Sequence, residues 1–119
     1  MFEVVFYDER TRDGLDSLPP KLYAKMLRLL DVLSLYGHQI DRRFSTAFGD
    51  GLFELRAKAE EGIARAFYTF EEDKIIVVLH IFIKKDQKTP KNELELARKI
   101  LKELKCEKWY LLQKSKTKH

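Results

Sequence analysis

Residues 52–83 hold three β-type segments in a row, joined by turns too short for anything but hairpins. Leu52–Lys58 is the first, Ile63–Phe70 the second and Lys74–Ile83 the third. The turns between them are Glu60-Glu61-Gly62 and Glu71–Asp73. Connections of this length impose antiparallel pairing of neighbours, hence a meander. A sheet of this kind must bury at least one face. The remaining segments must supply its cover.

Phe2–Tyr7 is aromatic and β-branched, with Phe2, Val4 and Phe6 in alternation, and reads as a first strand. Arg10–Leu18 reads as a short helix. Pro19 and Pro20 open a longer one, since proline is tolerated in a first helical turn. Leu22, Met26, Leu29, Leu30, Leu33 and Tyr36 form one apolar stripe along it, and Gly37 reads as its C-cap. His38–Gly51 is a polar connector. Thr89-Pro90 reads as an N-cap hydroxyl followed by proline at the first helical position. Leu94, Ala97, Ile100, Leu101 and Leu104 then make an amphipathic helix to about Lys105. Trp109–Leu112 reads as a last short strand or a docked tail. The order β-α-α-β-β-β-α predicts an α+β domain, a small antiparallel sheet with the two N-terminal helices on one face. A chain of 119 residues suits one domain, drawn here as residues 1–112, with a basic, flexible tail at 113–119.

Several classes are disfavoured. With 45% hydrophobic and 35% charged residues, the chain has material for a core and is not of disordered type. Its longest apolar run, Ile75–Phe82, is far short of the roughly 20 residues of a spanning helix, so no membrane role is expected. Glu3, Asp8 and Glu9 follow Met1 too closely for a cleavable signal peptide, and a cytoplasmic location is expected. Cys106 is the only cysteine and the three histidines are scattered, so neither a disulfide nor a metal site is expected, and no cofactor. Charge is divided unevenly. Residues 1–60 carry 9 Lys/Arg and 10 Asp/Glu; residues 61–119 carry 14 and 9. The excess lies at Lys84, Lys85, Lys88 and Lys91 and in the tail, a distribution that attracts a polyanion such as nucleic acid.

Strand alternation sorts the meander into two faces. The aliphatic sets, among them Leu55, Ala64, Ala66, Val77, Leu79 and Ile81, are expected beneath the helices. The other face collects Glu54, Arg56, Arg65, His80 and Lys84 beside Phe67 and Phe82. Each has a plainer reading. Glu54 and Arg56 could be a surface ion pair worth ~0–1 kcal/mol. His80 could be a hydrogen-bonded, partly buried histidine. Lys84 and Lys85 could guard a sheet edge.

Three ordered motifs resemble one family. Asp50-Gly51-Leu52-Phe53-Glu54-Leu55-Arg56 resembles the opening strand of phage-derived HigB-like toxins, a branch of the RelE/ParE superfamily. Gly62-Ile63-Ala64-Arg65-Ala66-Phe67-Tyr68 resembles their second strand. Leu79–Pro90, with its His80, Lys84-Lys85 and Thr89-Pro90, resembles their most distinctive segment. Together they span roughly residues 50–100. The resemblance implies the toxin of a type II toxin–antitoxin system with a RelE/ParE-like fold. Its implied target is mRNA in the ribosomal A site, cleaved without metal. Its implied partner is a helix-turn-helix antitoxin of HigA type, and operator DNA is contacted only through the complex.

Metal-free RNA cleavage uses the ribose 2′-hydroxyl as nucleophile. Arg56 and Arg65 suit binding of phosphate and of the charge that grows on it, because a planar guanidinium holds phosphate through two bonds. His80 suits a general base by its titration range, and Glu54 is its rival. Lys84 or Lys85 would supply charge or the leaving-group proton. Phe67 or Phe82 would stack on a base, and Lys88 and Lys91 would contact RNA phosphates. Two other classes remain: a ParE-like inhibitor of DNA gyrase, and a non-catalytic nucleic-acid or protein-binding module on the same fold.

Overall fold

The computed structural model of the chain describes residues 1–85 and 88–117, with side chains as far as Glu107. The elements are β1 (Glu3–Phe6), α1 (Glu9–Asp16), α2 (Pro20–Tyr36), a 3₁₀ turn (Gly37–Gln39), β2 (Ser45–Gly49), β3 (Leu52–Ala59), β4 (Gly62–Glu71), β5 (Ile75–Lys84) and α3 (Lys91–Thr117). One five-stranded sheet runs in the order β1-β5-β4-β3-β2. The expected meander is there, with β3, β4 and β5 antiparallel. β1 pairs parallel to β5, so the sheet is mixed, not wholly antiparallel. Helices α1 and α2 carry the chain from β1 at one edge of the sheet to β2 at the other, and the strands then return it to β5 beside β1.

The stripe of α2 packs as its spacing predicts. Leu22, Met26, Leu29, Leu30 and Leu33 are buried against Leu55, Ala57, Ala64, Ala66, Ile76 and Val78. Tyr36, read as the end of that stripe, is instead 58% exposed. On the opposite face, Ala97 and Leu101 of α3 pack on Leu52, Phe67, Val77, Leu79 and Phe82. Both faces of the sheet are therefore roofed, and β4 is buried almost throughout.

Three local readings are corrected. First, the polar connector contains β2. Its hairpin with β3 turns on Asp50 and Gly51, both at positive φ, and Asp-Gly is the pair that such a turn prefers. Second, Trp109–Leu112 is helical: α3 does not stop near Lys105 but runs to Thr117, and so takes in the first part of the 113–119 segment. Lys118 and His119 of that segment lie outside the described residues, as do Asp86 and Gln87 of the third motif. Third, β5 does not alternate cleanly. Its register against β4 slips between Phe67 and Tyr68, where Leu79 has no opposite number. An extra residue turns both flanks of a strand. Val78 and Ile81 thus face α1 and α2, while Val77 and Leu79 lie under α3 beside Phe82.

Gly37 ends α2 at φ +54°, and a Cβ there would lie 2.1 Å from the Phe2 ring. Gly37→Ala is expected to cost about 2–4 kcal/mol, combining a left-handed backbone with overpacking. Urea denaturation reads this directly. A loss under about 0.5 kcal/mol would show that Phe2 moves aside freely.

Candidate functional site

Pairing of β3 with β4 sets Glu54 opposite Phe67 and Arg56 opposite Arg65. Residues opposite each other on antiparallel strands share a face, so the acid and both arginines converge. Arg56 Nε donates to Glu54 Oε1 at 2.7 Å, and Arg65 Nε lies 3.8 Å from Glu54 Oε2. Glu54 and Arg65 are wholly buried. Burying such charges costs several kcal/mol each unless they are paired. Glu54 is thus the centre of a clamp, with a guanidinium on either side. The Arg56 side chain keeps 27% exposure, so it is the member that a solute can reach.

Thr89 closes the clamp. Its hydroxyl donates to Glu54 Oε2 at 2.9 Å and accepts from Arg56 Nη2 at 3.5 Å. The hydroxyl read as a helix cap is therefore committed to the sheet, and α3 begins two residues later at Lys91. Both oxygens of Glu54 are bonded, an arrangement that orients the arginines.

His80 is two strands from Glu54, in line across Phe67. Two strand spacings are about 10 Å. Its Nε2 lies 3.3 Å from Glu93 Oε1 on the first turn of α3. Its ring stacks on Phe82 at 5.3 Å, and Phe82 stacks on Phe67 at 5.8 Å. These rings make an aromatic floor between the histidine and the clamp. Phe67 is fully buried and Phe82 nearly so, so neither presents a free ring face in this conformation. Lys84, Lys85, Lys88 and Lys91 are all exposed and lead from the end of β5 into α3. The structure thus brings Glu54, Arg56 and Arg65 together, sets His80 apart with Glu93, and leaves the four lysines exposed. Sequence reasoning missed Thr89 and Glu93. The Thr-Pro signal was visible, but it pointed equally well to an ordinary cap.

Other contacts pin α3 over this face. Arg98 Nη2 donates to the Phe48 carbonyl at 2.7 Å, and Tyr7 OH donates to Glu107 Oε1 at 3.0 Å. Burial and then the Glu107 hydrogen bond push the Tyr7 phenol from 10.0 up to about 12. The folded chain therefore holds this proton after the unfolded chain has lost it. Stability from Tyr7 is present below pH 10.0 and is lost as pH rises toward about 12. Alkaline unfolding of a Tyr7→Phe chain is expected to depend less steeply on pH across that window, read by circular dichroism. An unchanged slope would remove the Tyr7–Glu107 bond from the account.

The model of the family described as phage derived protein Gp49-like (DUF891) matches residues 13–102, from α1 through the sheet into α3. No curated protein matches the chain. Among solved structures, the archaeal RelE–RelB complex from Pyrococcus horikoshii OT3 contains a similar chain, with a TM-score of 0.51 at 22% identity, covering 73% of this chain and 98% of that one. The fold is therefore of RelE type, which agrees with the architecture expected from the motifs.

Proposed function

The chain belongs to the phage-derived Gp49-like family, and on that premise we propose that it is the toxin of a type II toxin–antitoxin pair, an endoribonuclease that cuts mRNA on the ribosome. The observation that carries this reading is the clamp: two arginines aimed by one buried carboxylate, in a chain whose four lysines from the end of β5 to the start of α3 are exposed. Arginines fixed in this way are preorganised for phosphate, and the lysines supply sequence-independent attraction to its strand.

In the proposed reaction the ribose 2′-oxygen attacks the neighbouring phosphorus. The bond from phosphorus to the 5′-oxygen breaks, and a cyclic phosphate remains. Arg56 binds the phosphate and offsets its growing charge. Arg65, on the other side of Glu54, adds its charge from beneath. His80, oriented by Glu93, takes the 2′-hydroxyl proton, a base steered by a third group. Lys84 or Lys85 protonates the departing 5′-oxygen. Glu54 holds the arginines in place. Lys88 and Lys91 contact flanking phosphates, and a base stacks at the Phe67–Phe82 pair once those rings are uncovered. The partners on this reading are mRNA in the ribosomal A site and a helix-turn-helix antitoxin of HigA type. A RelE chain in complex with RelB is the structural parallel for such a partner.

Complete burial of Glu54, Arg65 and Phe67 favours a second reading, a non-catalytic binding module in which the clamp only holds the sheet together. Induced expression in a bacterial host separates the possibilities. Growth arrest with fragmented mRNA and unchanged plasmid supercoiling is the expected result. Arrest with intact mRNA and altered supercoiling would assign a gyrase inhibitor instead.

A further inference from the structure

On the sheet face opposite the clamp, α2 stops at Tyr36 and leaves one end of β2, β3 and β4 uncovered. A cleft of about 520 Å³ opens there, within the ~300–1,000 Å³ typical of small-ligand sites. Its wall is aromatic. Phe53 and Tyr68 are stacked at 5.5 Å and 22°, and Phe70 stands edge-on to both. The His38 ring lies flat on Phe70 at 3.6 Å and 26°. Tyr68 is buried behind the other rings, whereas Phe53 and Phe70 are only partly buried and His38 is exposed. At the rim stands Arg42, exposed, whereas the neighbouring Arg43 is paired with Asp41 at 3.1 Å. None of these groups takes part in the proposed cleavage.

We propose that this cleft binds one unpaired nucleotide of a single-stranded RNA, its base against the exposed parts of Phe53 and Phe70 and the exposed His38 ring that lies on Phe70, and its phosphate on Arg42. Stacking on aromatic side chains and a nearby cation are the two elements of sequence-tolerant single-strand binding. The shape favours this occupant over a peptide. A docked helix needs an elongated groove with anchors at i, i+3 or i+4, and i+7; here the apolar wall is a single stacked set. A double-stranded end is excluded by its paired and stacked bases. The site gives the chain a second hold on RNA, on the face away from the clamp, and does not depend on the cleavage chemistry.

The test is a titration of isotope-labelled full-length chain, followed by NMR, with a short single-stranded RNA, a mononucleotide, ribose 5-phosphate and an RNA duplex. The RNA carries 2′-O-methyl groups, so that cleavage cannot intervene. The expected result is saturable shifts at His38, Phe53 and Phe70 with the single strand, weaker ones with the mononucleotide, and none with ribose phosphate or duplex. Phe53→Leu keeps apolar bulk but loses the ring, and is expected to weaken binding roughly tenfold, the loss of one stacked base. Arg42→Ala, at an exposed position, is expected to weaken it roughly fivefold. Absence of shifts in the cleft would overturn the proposal. So would equal response to ribose phosphate or duplex, tighter binding of the mononucleotide than of the strand, or protection of the cleft by a purified antitoxin while RNA leaves it unchanged.

Discussion

Glu54→Ala is expected to destabilise the chain by about 3–5 kcal/mol, the usual cost of removing one member of a buried charge cluster. Glu54 and Arg65 are both wholly buried, and the Glu54 carboxylate stands 3.8 Å from Arg65 and 2.7 Å from Arg56. Loss of the acid takes from the buried Arg65 guanidinium on β4 its ion pair with Glu54. It also frees Thr89, and with it the start of α3. Small domains have only about 5–15 kcal/mol to lose, so a large fall in the urea midpoint should follow. Joint replacement, Glu54→Leu with Arg65→Met, removes both charges at similar volume and is expected to recover most of the loss. A Glu54→Ala chain within about 1 kcal/mol of the parent would show that the clamp contributes little to the fold.

Arg56→Lys is expected to cut cleavage about a hundredfold or more while leaving the fold intact. A lysine keeps a positive charge beside Glu54 but has no planar fork with which to hold a phosphate. Arg56 is the suitable position because it is the partly exposed member, at 27%. Arg65→Ala is the poorer test, since its effect on stability would hide any effect on chemistry. Full activity of a folded Arg56→Lys chain would remove Arg56 from phosphate recognition. A fall in activity that merely tracks a fall in stability would favour the binding-module reading.

The meander, the α2 stripe and the shared face of Glu54, Arg56 and Arg65 were all legible from spacing, because periodicity reports directly on which side chains point the same way. Burial was not legible. Whether a polar face is open or roofed depends on where a distant helix packs, and α3 packs on this one through Ala97 and Leu101. The slip at Leu79 was hidden for a similar reason: a bulge depends on the partner strand, and β5 alone shows an apolar run broken only by His80 before Lys84 ends it. β2 had a local signal after all, the Asp50-Gly51 turn, but Ser45–Gly49 is too short and too polar to read as a strand without it. Thr89 served two patterns at once, and only the geometry shows that its hydroxyl faces Glu54.

The most direct measurement is the integrity of mRNA in an active bacterial translation reaction, mapped by primer extension with purified wild-type and Arg56→Lys chains, with and without ribosomes. The account predicts cuts by the wild type at codon boundaries, only when ribosomes are present, and none above background with Arg56→Lys. Intact mRNA with folded wild-type protein on translating ribosomes would contradict it.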